Sequence, residues 1–227
     1  PDLKEFFAQY DPQIRFSDKD EQERIVATLI EDPQIKAAWE ENRRDLYASV
    51  HFIKRSGRYR LFAKGNPGKG DFNVYRMFVE TALDWTQTGG RAAQLTPENL
   101  YNGPNAAAIR RHLYDETELE LLLGFVNTNG VWFPNVHTAA KFCLYVATMG
   151  GRTSRFPTAF RIASLAELSP ATGKRLLMDV RLIREFSPAA LAIPELESQE
   201  AVDVSVKVYD RWPKFGDTKS WRPVREY

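Results

Sequence analysis

Apolar residues recur at helical spacing through the first fifty positions. Leu3, Phe6, Phe7 and Tyr10 share one face before Asp11-Pro12 interrupts them, because a proline disfavours helical angles in the residue before it. Ile25, Leu29 and Ile30 form a second stripe that stops near Asp32-Pro33, and Ile35, Trp39, Leu46 and Tyr47 a third. The polar faces mix both signs of charge, which predicts solvated helices packed on a neighbour. Val74, Phe78, Ala82 and Trp85 repeat the spacing. They predict a helix capped by Asp71 or Asn73, with this apolar stripe inward, ending at Gly89-Gly90 where left-handed angles are needed. Arg91 to Thr96 then reads as a short strand closed by Pro97. A helix passed by two glycines into a strand is half of a parallel α/β unit, so the flanking chain must supply neighbouring strands.

Downstream, Pro104 suits a first helical turn, and Ala106, Ile109, Arg110, Leu113 and Tyr114 carry a helix to about residue 115. Glu118 to Phe125 predicts a buried strand and Ala139 to Ala147 a second. Asn127-Thr128-Asn129-Gly130, with turn chemistry, and Val131-Trp132-Phe133-Pro134 lie between them. The expectation is an antiparallel pair at a sheet edge. Glu118 and Glu120 on the first strand read as a solvated face, since nothing marks them as an acid–base pair. Beyond Arg152, Arg155 and Arg161 the pattern loosens. A short helix over Ile162 to Leu168, an imperfect strand over Leu176 to Phe186 and a helix over Ser198 to Trp212 follow, before a polar, basic tail with Trp221. There is no internal repeat and no low-complexity tract.

Charge adds one feature. Lys54, Arg55, Arg58, Arg60, Lys64 and Lys69 fall between residues 51 and 70 without an acidic residue, interleaved with Phe52, Tyr59 and Phe62. Cations neutralise phosphates and aromatic faces stack on unpaired bases, so the segment can lie along DNA. It reads equally as a basic surface loop pinned by a few buried aromatics. The glycine-rich run from Gly65 to Gly70 lacks the spacing and the Ser or Thr of a P-loop, and reads as flexible entry to the next helix. The whole chain of 227 residues is 43% hydrophobic, enough for a sizeable core, and its net charge of +1 neither demands nor excludes a nucleic-acid partner. The single cysteine, Cys143, excludes an internal disulfide and fits a reducing, cytoplasmic setting. No apolar run approaches the ~20 residues of a membrane span, and no signal peptide opens the chain. The first residue is Pro1, as expected of a piece of something longer. His51, His112 and His137 are far apart, so no metal site is expected, and no nucleophile motif is present. Composition and spacing stop at an α/β domain with a basic flank.

Three segments carry a resemblance. Asn73-Val74-Tyr75-Arg76-Met77-Phe78-Val79-Glu80-Thr81-Ala82-Leu83, followed by Gly89-Gly90-Arg91 and a strand ending at Pro97, resembles the fifth and sixth motifs of gamma-class DNA adenine-N6 methyltransferases. Gly124-Phe125-Val126-Asn127, Val131 to His137 and Lys141-Phe142 resemble the eighth motif, with Val126 where larger relatives carry glutamate. Leu3 to Phe7 and Ser56-Gly57-Arg58-Tyr59 resemble the insert after the catalytic motif in the large restriction–modification and phage-defence members. The match is good over residues 1–150 and faint over 151–227. The resemblance implies part of a Rossmann-like class I methyltransferase sheet, seven-stranded when whole, with an N-terminal helical insert. Its divisions are a helical insert and basic loop (1–70), the second half of the sheet (71–150) and a mixed linker towards a DNA-recognition region (151–227). It implies S-adenosylmethionine as methyl donor, with Phe78 packed on the cofactor's adenine. Double-stranded DNA is the implied substrate, a flipped adenine stacking on Phe133 beside Pro134, with other subunits of a restriction or defence complex as further partners. The family's catalytic (Asn/Asp)-Pro-Pro-aromatic tetrapeptide and its cofactor glycine motif are not in this chain, so no catalytic residue is assigned. The isolated chain is expected neither to bind the cofactor measurably nor to turn over. The bland alternatives are an amphipathic-helix core role for Phe78, a plug under a loop for Phe133, and a non-catalytic nucleic-acid-binding or scaffold module for the whole.

Overall fold

Aspartates set the starts of the first helices. Asp11 accepts a hydrogen bond from the Gln13 amide and opens a 3-10 turn, Pro12–Arg15, behind helix α1 (Leu3–Phe7). Asp18 accepts from the Glu21 amide at the head of α2 (Lys19–Ile30). Asp32 accepts from the Gln34 and Ile35 amides at the head of α3 (Pro33–Arg55), with Pro33 at its first position. Each supplies an acceptor for amides that have no partner within the helix. The computed structural model describes residues 3–64, 72–169, 175–214 and 217. The chain divides into two compact units, residues 1–58 and 59–227. In the first, Phe7, Ala8 and Ile14 are buried, and Phe6, Ile25, Leu29, Ile35 and Trp39 pack against them. The Trp39 ring lies 4.9 Å from Phe6 and 5.0 Å from Phe7. Tyr47, from the third sequence stripe, stands outside this cluster and is exposed.

The second unit is a mixed α/β fold. Helices α4 (Arg60–Lys64) and α5 (Tyr75–Trp85) lead into strand β1 (Arg91–Pro97). Then come α6 (Asn99–Asn102), a 3-10 turn opened by Pro104, and α7 (Ala107–Asp115). Strands β2 (Thr117–Val126), β3 (Lys141–Met149) and β4 (Arg155–Ile162) follow. The chain continues through α8 (Leu165–Leu168), β5 (Leu176–Asp179), α9 (Val180–Phe186) and α10 (Gln199–Arg211), the last capped by Ser198. The five strands form one sheet in the order β1-β3-β2-β4-β5. β3 is antiparallel to β1 and β2, β4 is parallel to β2, and β5 is antiparallel to β4. On one face Cys143, Tyr145, Ala147 and Met149 of β3 join the main core with Val79 and Leu83 of α5, Ile109 and Leu113 of α7, and residues of α9 and α10. On the other face Leu123, Phe125, Ala159 and Ile162 are buried with Trp132, Phe142 and Leu144 against them. That division follows from the two-residue repeat of a strand. Gly124 is required by contact: a Cβ there would meet the Phe160 ring at 2.9 Å.

Several sequence expectations are corrected. The β2–β3 pair is interior, because β3 also pairs with β1 and β2 also pairs with β4; the edges are β1 and β5. β1 has one neighbour among the described residues, and that neighbour is antiparallel, so no parallel α/β half-unit forms there. Residues 155–162 are a strand rather than a loose approach to a helix, which begins only at Leu165. Leu176 to Phe186 divides into β5 and α9. The largest correction concerns α5. Its expected inner stripe points outward: Val74 is 49% exposed, Phe78 67% and Trp85 79%. Arg76, Val79, Glu80 and Leu83 take the inner face. Two charged residues can do so because each finds a partner. The Glu80 carboxylate accepts from the Leu61 and Phe62 amides, both at 2.9 Å, and so caps α4. Arg76 donates to the Asn105 carbonyl at 3.0 Å, and its guanidinium lies 4.6 Å from the Phe62 ring centre. Asp71 lies outside the described residues, whereas Asn73 accepts from the Tyr75 amide at 3.3 Å. α5 ends at Trp85, where Thr86 leaves in an extended conformation, so the glycine pair does not terminate the helix; Gly89, φ +80, serves the turn that enters β1.

Candidate functional site

Strand direction collects the chemistry at one rim of the second unit. β1, β2 and β4 run the same way, so their carboxyl ends at Pro97, Val126 and Ile162 share an edge of the sheet. The loop 127–140 starts from that rim. Asn127 is fully buried and holds the loop from inside. Its Nδ2 donates to the carbonyls of Phe133 (2.9 Å) and Val136 (3.0 Å). Its Oδ1 accepts from the amides of Trp132 (3.2 Å) and Phe133 (2.9 Å). The loop turns through left-handed angles at Asn129 and Gly130, residue types that tolerate them. Phe125 and Phe142 stack at 4.8 Å below it, and Trp132 meets Phe125 edge-on while donating to the Ile162 carbonyl. Thus one side-chain amide and an aromatic floor fix a tip that presents Val131, Phe133, Pro134 and Val136 to solvent.

Phe133 rests edge-on against Phe142, at 5.1 Å, with 41% of its surface exposed. It is therefore not a plug beneath the loop. Phe78 sits in the amino-terminal half of α5, which runs back along β1. The Gln94 side chain of β1 donates to its carbonyl at 3.3 Å. This contact places Phe78 beside the middle of β1, and its ring is exposed.

A charge network occupies the same rim. Glu195 accepts from the Tyr101 hydroxyl (2.7 Å), Lys141 Nζ (3.1 Å) and Arg161 Nε (3.1 Å). Burial works to raise the Glu195 carboxyl, but these three donors outweigh it and hold it below the usual range. Burial first, and then the bond to Glu195, raises the Tyr101 phenol. Arg161 adopts φ +59 to reach both Glu195 and Glu197. The network fastens the segment before α10 to the ends of β3 and β4, and its groups satisfy one another. Elsewhere Glu120 lies between Arg91 (2.7 Å) and Thr148, whose hydrogen bonds lower its carboxyl. It is an ion-pair partner across the sheet.

The basic positions 54–69 do not form one loop. Lys54 and Arg55 close α3 and Arg58 follows in the first unit; Arg60 and Lys64 bound α4 in the second; Lys69 lies outside the described residues. Of the interleaved aromatics, Phe62 is buried under Arg76 and against Phe72 and cannot stack on a base, Tyr59 is half-buried, and Phe52 is 68% exposed. Among the described residues no three His, Cys, Asp or Glu side chains stand together as metal ligands, and no helix is long and apolar enough to cross a membrane. Sequence reasoning gave no role to Asn127, Glu80, Arg76 or Glu195, although the first three stand in the segments that carry the resemblance; Glu195 carried no signal.

No family model matches the chain, and no curated protein matches it. Among solved structures it is similar to a chain of a type I restriction–modification complex, at 12% identity and TM-score 0.39, over 60% of this chain and 36% of that one. It is similar to the type IIG restriction endonuclease BpuSI, at 13% identity and TM-score 0.35, over 48% and 13%. A modification subunit of a candidate type I restriction enzyme from Vibrio vulnificus YJ016 gives 13% identity and TM-score 0.29, over 57% and 22%. The chain spans about a third or less of the length of each. With TM-scores below 0.5, these likenesses decide neither its fold nor its chemistry.

Proposed function

We propose that this chain is a portion of a DNA adenine-N6 methyltransferase of restriction–modification or phage-defence type, working in the cytoplasm on double-stranded DNA with S-adenosylmethionine as donor. The observation that carries the reading is the exposed ring of Phe133 on a loop pinned by Asn127 at the carboxyl ends of the strands. Ligands of open α/β sheets bind at such ends. A half-exposed ring held from behind can stack on an extruded base, a contact worth about 1–3 kcal/mol. Pro134 stiffens the tip beside it. Phe78, exposed on the outer face of α5, offers one wall against a purine, which agrees with one side of a cofactor site. The donor would supply an electrophilic sulfonium methyl. This chain's own part is to cover its adenine at Phe78 and to hold the target base at Phe133. The uncovered outer face of α5 and the open edge of β1 agree with a sheet that continues in another part of the enzyme. In this reading the six basic residues Lys54, Arg55, Arg58, Arg60, Lys64 and Lys69 contact the DNA backbone.

One observation favours a second reading. The chain lacks the (Asn/Asp)-Pro-Pro-aromatic tetrapeptide that would align the adenine amino group, which suits a non-catalytic nucleic-acid-binding or scaffold module. The two part on one experiment. The intact gene, wild type and Phe133→Ala, is expressed in a methylation-free host, and N6-methyladenine is counted by single-molecule sequencing. The expected result is site-specific methylation that falls at least fivefold in the variant, with the melting temperature unchanged. No methylation from the wild type, or full methylation from the variant, overturns the reading.

A further inference from the structure

The outward face of α3 in the first unit carries a further set of groups, which shares Arg55 with the basic positions named above. Arg44, Ala48, His51 and Arg55 fall on one stripe of the helix, with Tyr47 and Phe52 on its flanks. Together with Ser56 they line a shallow open depression. Tyr47 is 58% exposed and Phe52 68%, more than packing inside this unit would leave. No acidic residue occurs between Asp45 and Asp71. Among the described residues no carboxylate pairs with Arg43, Arg44, Lys54 or Arg55, while the exposed ion pairs Arg15–Glu5 and Arg24–Glu21 do form in the same unit. Cations in the last helical turn complement the helix dipole, which accounts for Lys54 and Arg55 but not for Arg44 or His51. Arg43 stands 6.0 Å from the Tyr47 ring centre. Arg44 and Arg55 are eleven residues apart, about 16 Å along the axis at ~1.5 Å per residue.

We propose that this face of α3 binds a single strand of nucleic acid. Phosphates lie along Arg44 and Arg55, and unpaired bases stack on Tyr47 and Phe52. Charge complementarity selects this occupant. An apolar partner helix would bury the same arginines without partners, which is costly, whereas a phosphate chain satisfies them and its bases cover the two rings. The inference extends the nucleic-acid part of the proposed function and is independent of methyl transfer, since its test contains no cofactor. Failure here leaves the Phe133 experiment standing, and the converse holds.

The test is fluorescence anisotropy of a labelled twenty-nucleotide oligo-dT with the full chain, titrated at several salt concentrations and competed with a duplex of equal length. The expected result is a preference for the single strand. In Arg44→Glu/Arg55→Glu, affinity should fall at least tenfold and the log–log salt slope should become shallower by about 1.4, for two lost phosphate contacts at ~0.7 each. In Tyr47→Ala/Phe52→Ala, affinity should fall at least fivefold with the slope unchanged. Far-UV circular dichroism checks that helicity is retained, and Arg44→Gln/Arg55→Gln serves if the charge reversal disturbs it. Photo-crosslinking with 5-iodouracil oligonucleotides reads the contact in the wild type directly. Unchanged affinity in either double variant, a preference for duplex, or crosslinks confined to residues 59–227 overturns the proposal.

Discussion

At the scale of single residues, polar side chains buried at long range decide more than exposed charges do. Arg110 is almost wholly buried, and its guanidinium donates to the carbonyls of Leu100 and Gly103, both at 2.7 Å, and of Ala190. Burial pushes it down to about 10, so it stays charged near neutrality. Glu195 is the group whose titration matters. Its carboxyl is held below the ordinary glutamate value of ~4.3, so its folded state favours the charged form. The stability from that charge is therefore complete above pH ~4.3 and is lost as pH falls through the lower folded value. Glu195→Gln should cost about 1–3 kcal/mol at pH 7, the range for a charged hydrogen-bonded group. The gap to wild type should close in acid, as the wild-type carboxyl also becomes neutral. Urea denaturation at pH 7, 5 and 3 reads this. A gap constant with pH would mean that Glu195 contributes by packing and not by charge.

At the scale of elements, the loop 127–140 depends on one side chain. Asn127→Ala removes four hydrogen bonds at once, and its cost should be about 2–4 kcal/mol. The damage should be local. In hydrogen exchange the amides of Trp132 and Phe133 should lose protection while those of β2 and β3, paired along their length, keep it. Loss of protection throughout both strands would show that the loop and the strand pair open together. Elements were legible in the sequence where the signal is local. The breaks at Asp11-Pro12 and Asp32-Pro33, the helix from Ser198 and the apolar runs of β2 and β3 all rest on neighbouring residues, whereas the cap at Asp18 was not read. β4 was not legible, because arginines near both ends and Pro157 mask a strand whose pairing is set by β2 and β5. The face of α5 was not legible either. Its orientation depends on Glu80 reaching α4 and on Arg76 reaching Asn105, contacts 18 to 29 residues away. Of the candidate site, Phe133 and Pro134 were readable as an exposed turn; the amide that holds them and the rim that gathers them follow only from strand order.

At the scale of the whole molecule, the two units are unequal in what holds them. The second has a core that runs from Val79 to Val202 through five helices and the sheet. The first buries Phe7, Ala8 and Ile14 beneath helices whose other apolar residues are only partly covered, and α2 and α3 contain no fully buried residue. Units of about 60 residues bury the smallest share of their surface and are the most marginal. Unfolding should therefore occur in two steps, with residues 1–58 first. Cys143 can separate them: it is fully buried in the second unit, and burial, working against its hydrogen bond with Thr96, pushes its thiol up to about 12. With rising urea, helical ellipticity should begin to fall while Cys143 still resists maleimide, and labelling should appear only in the second step. A saturating ligand of the folded first unit must shift the first step alone, by about 1.4 kcal/mol at ten times its dissociation constant. Oligo-dT should therefore delay the early loss of ellipticity and leave the onset of Cys143 labelling where it was. A single transition, with labelling and ellipticity coincident, would mean that the two units fold as one, and the oligonucleotide would then move both signals together.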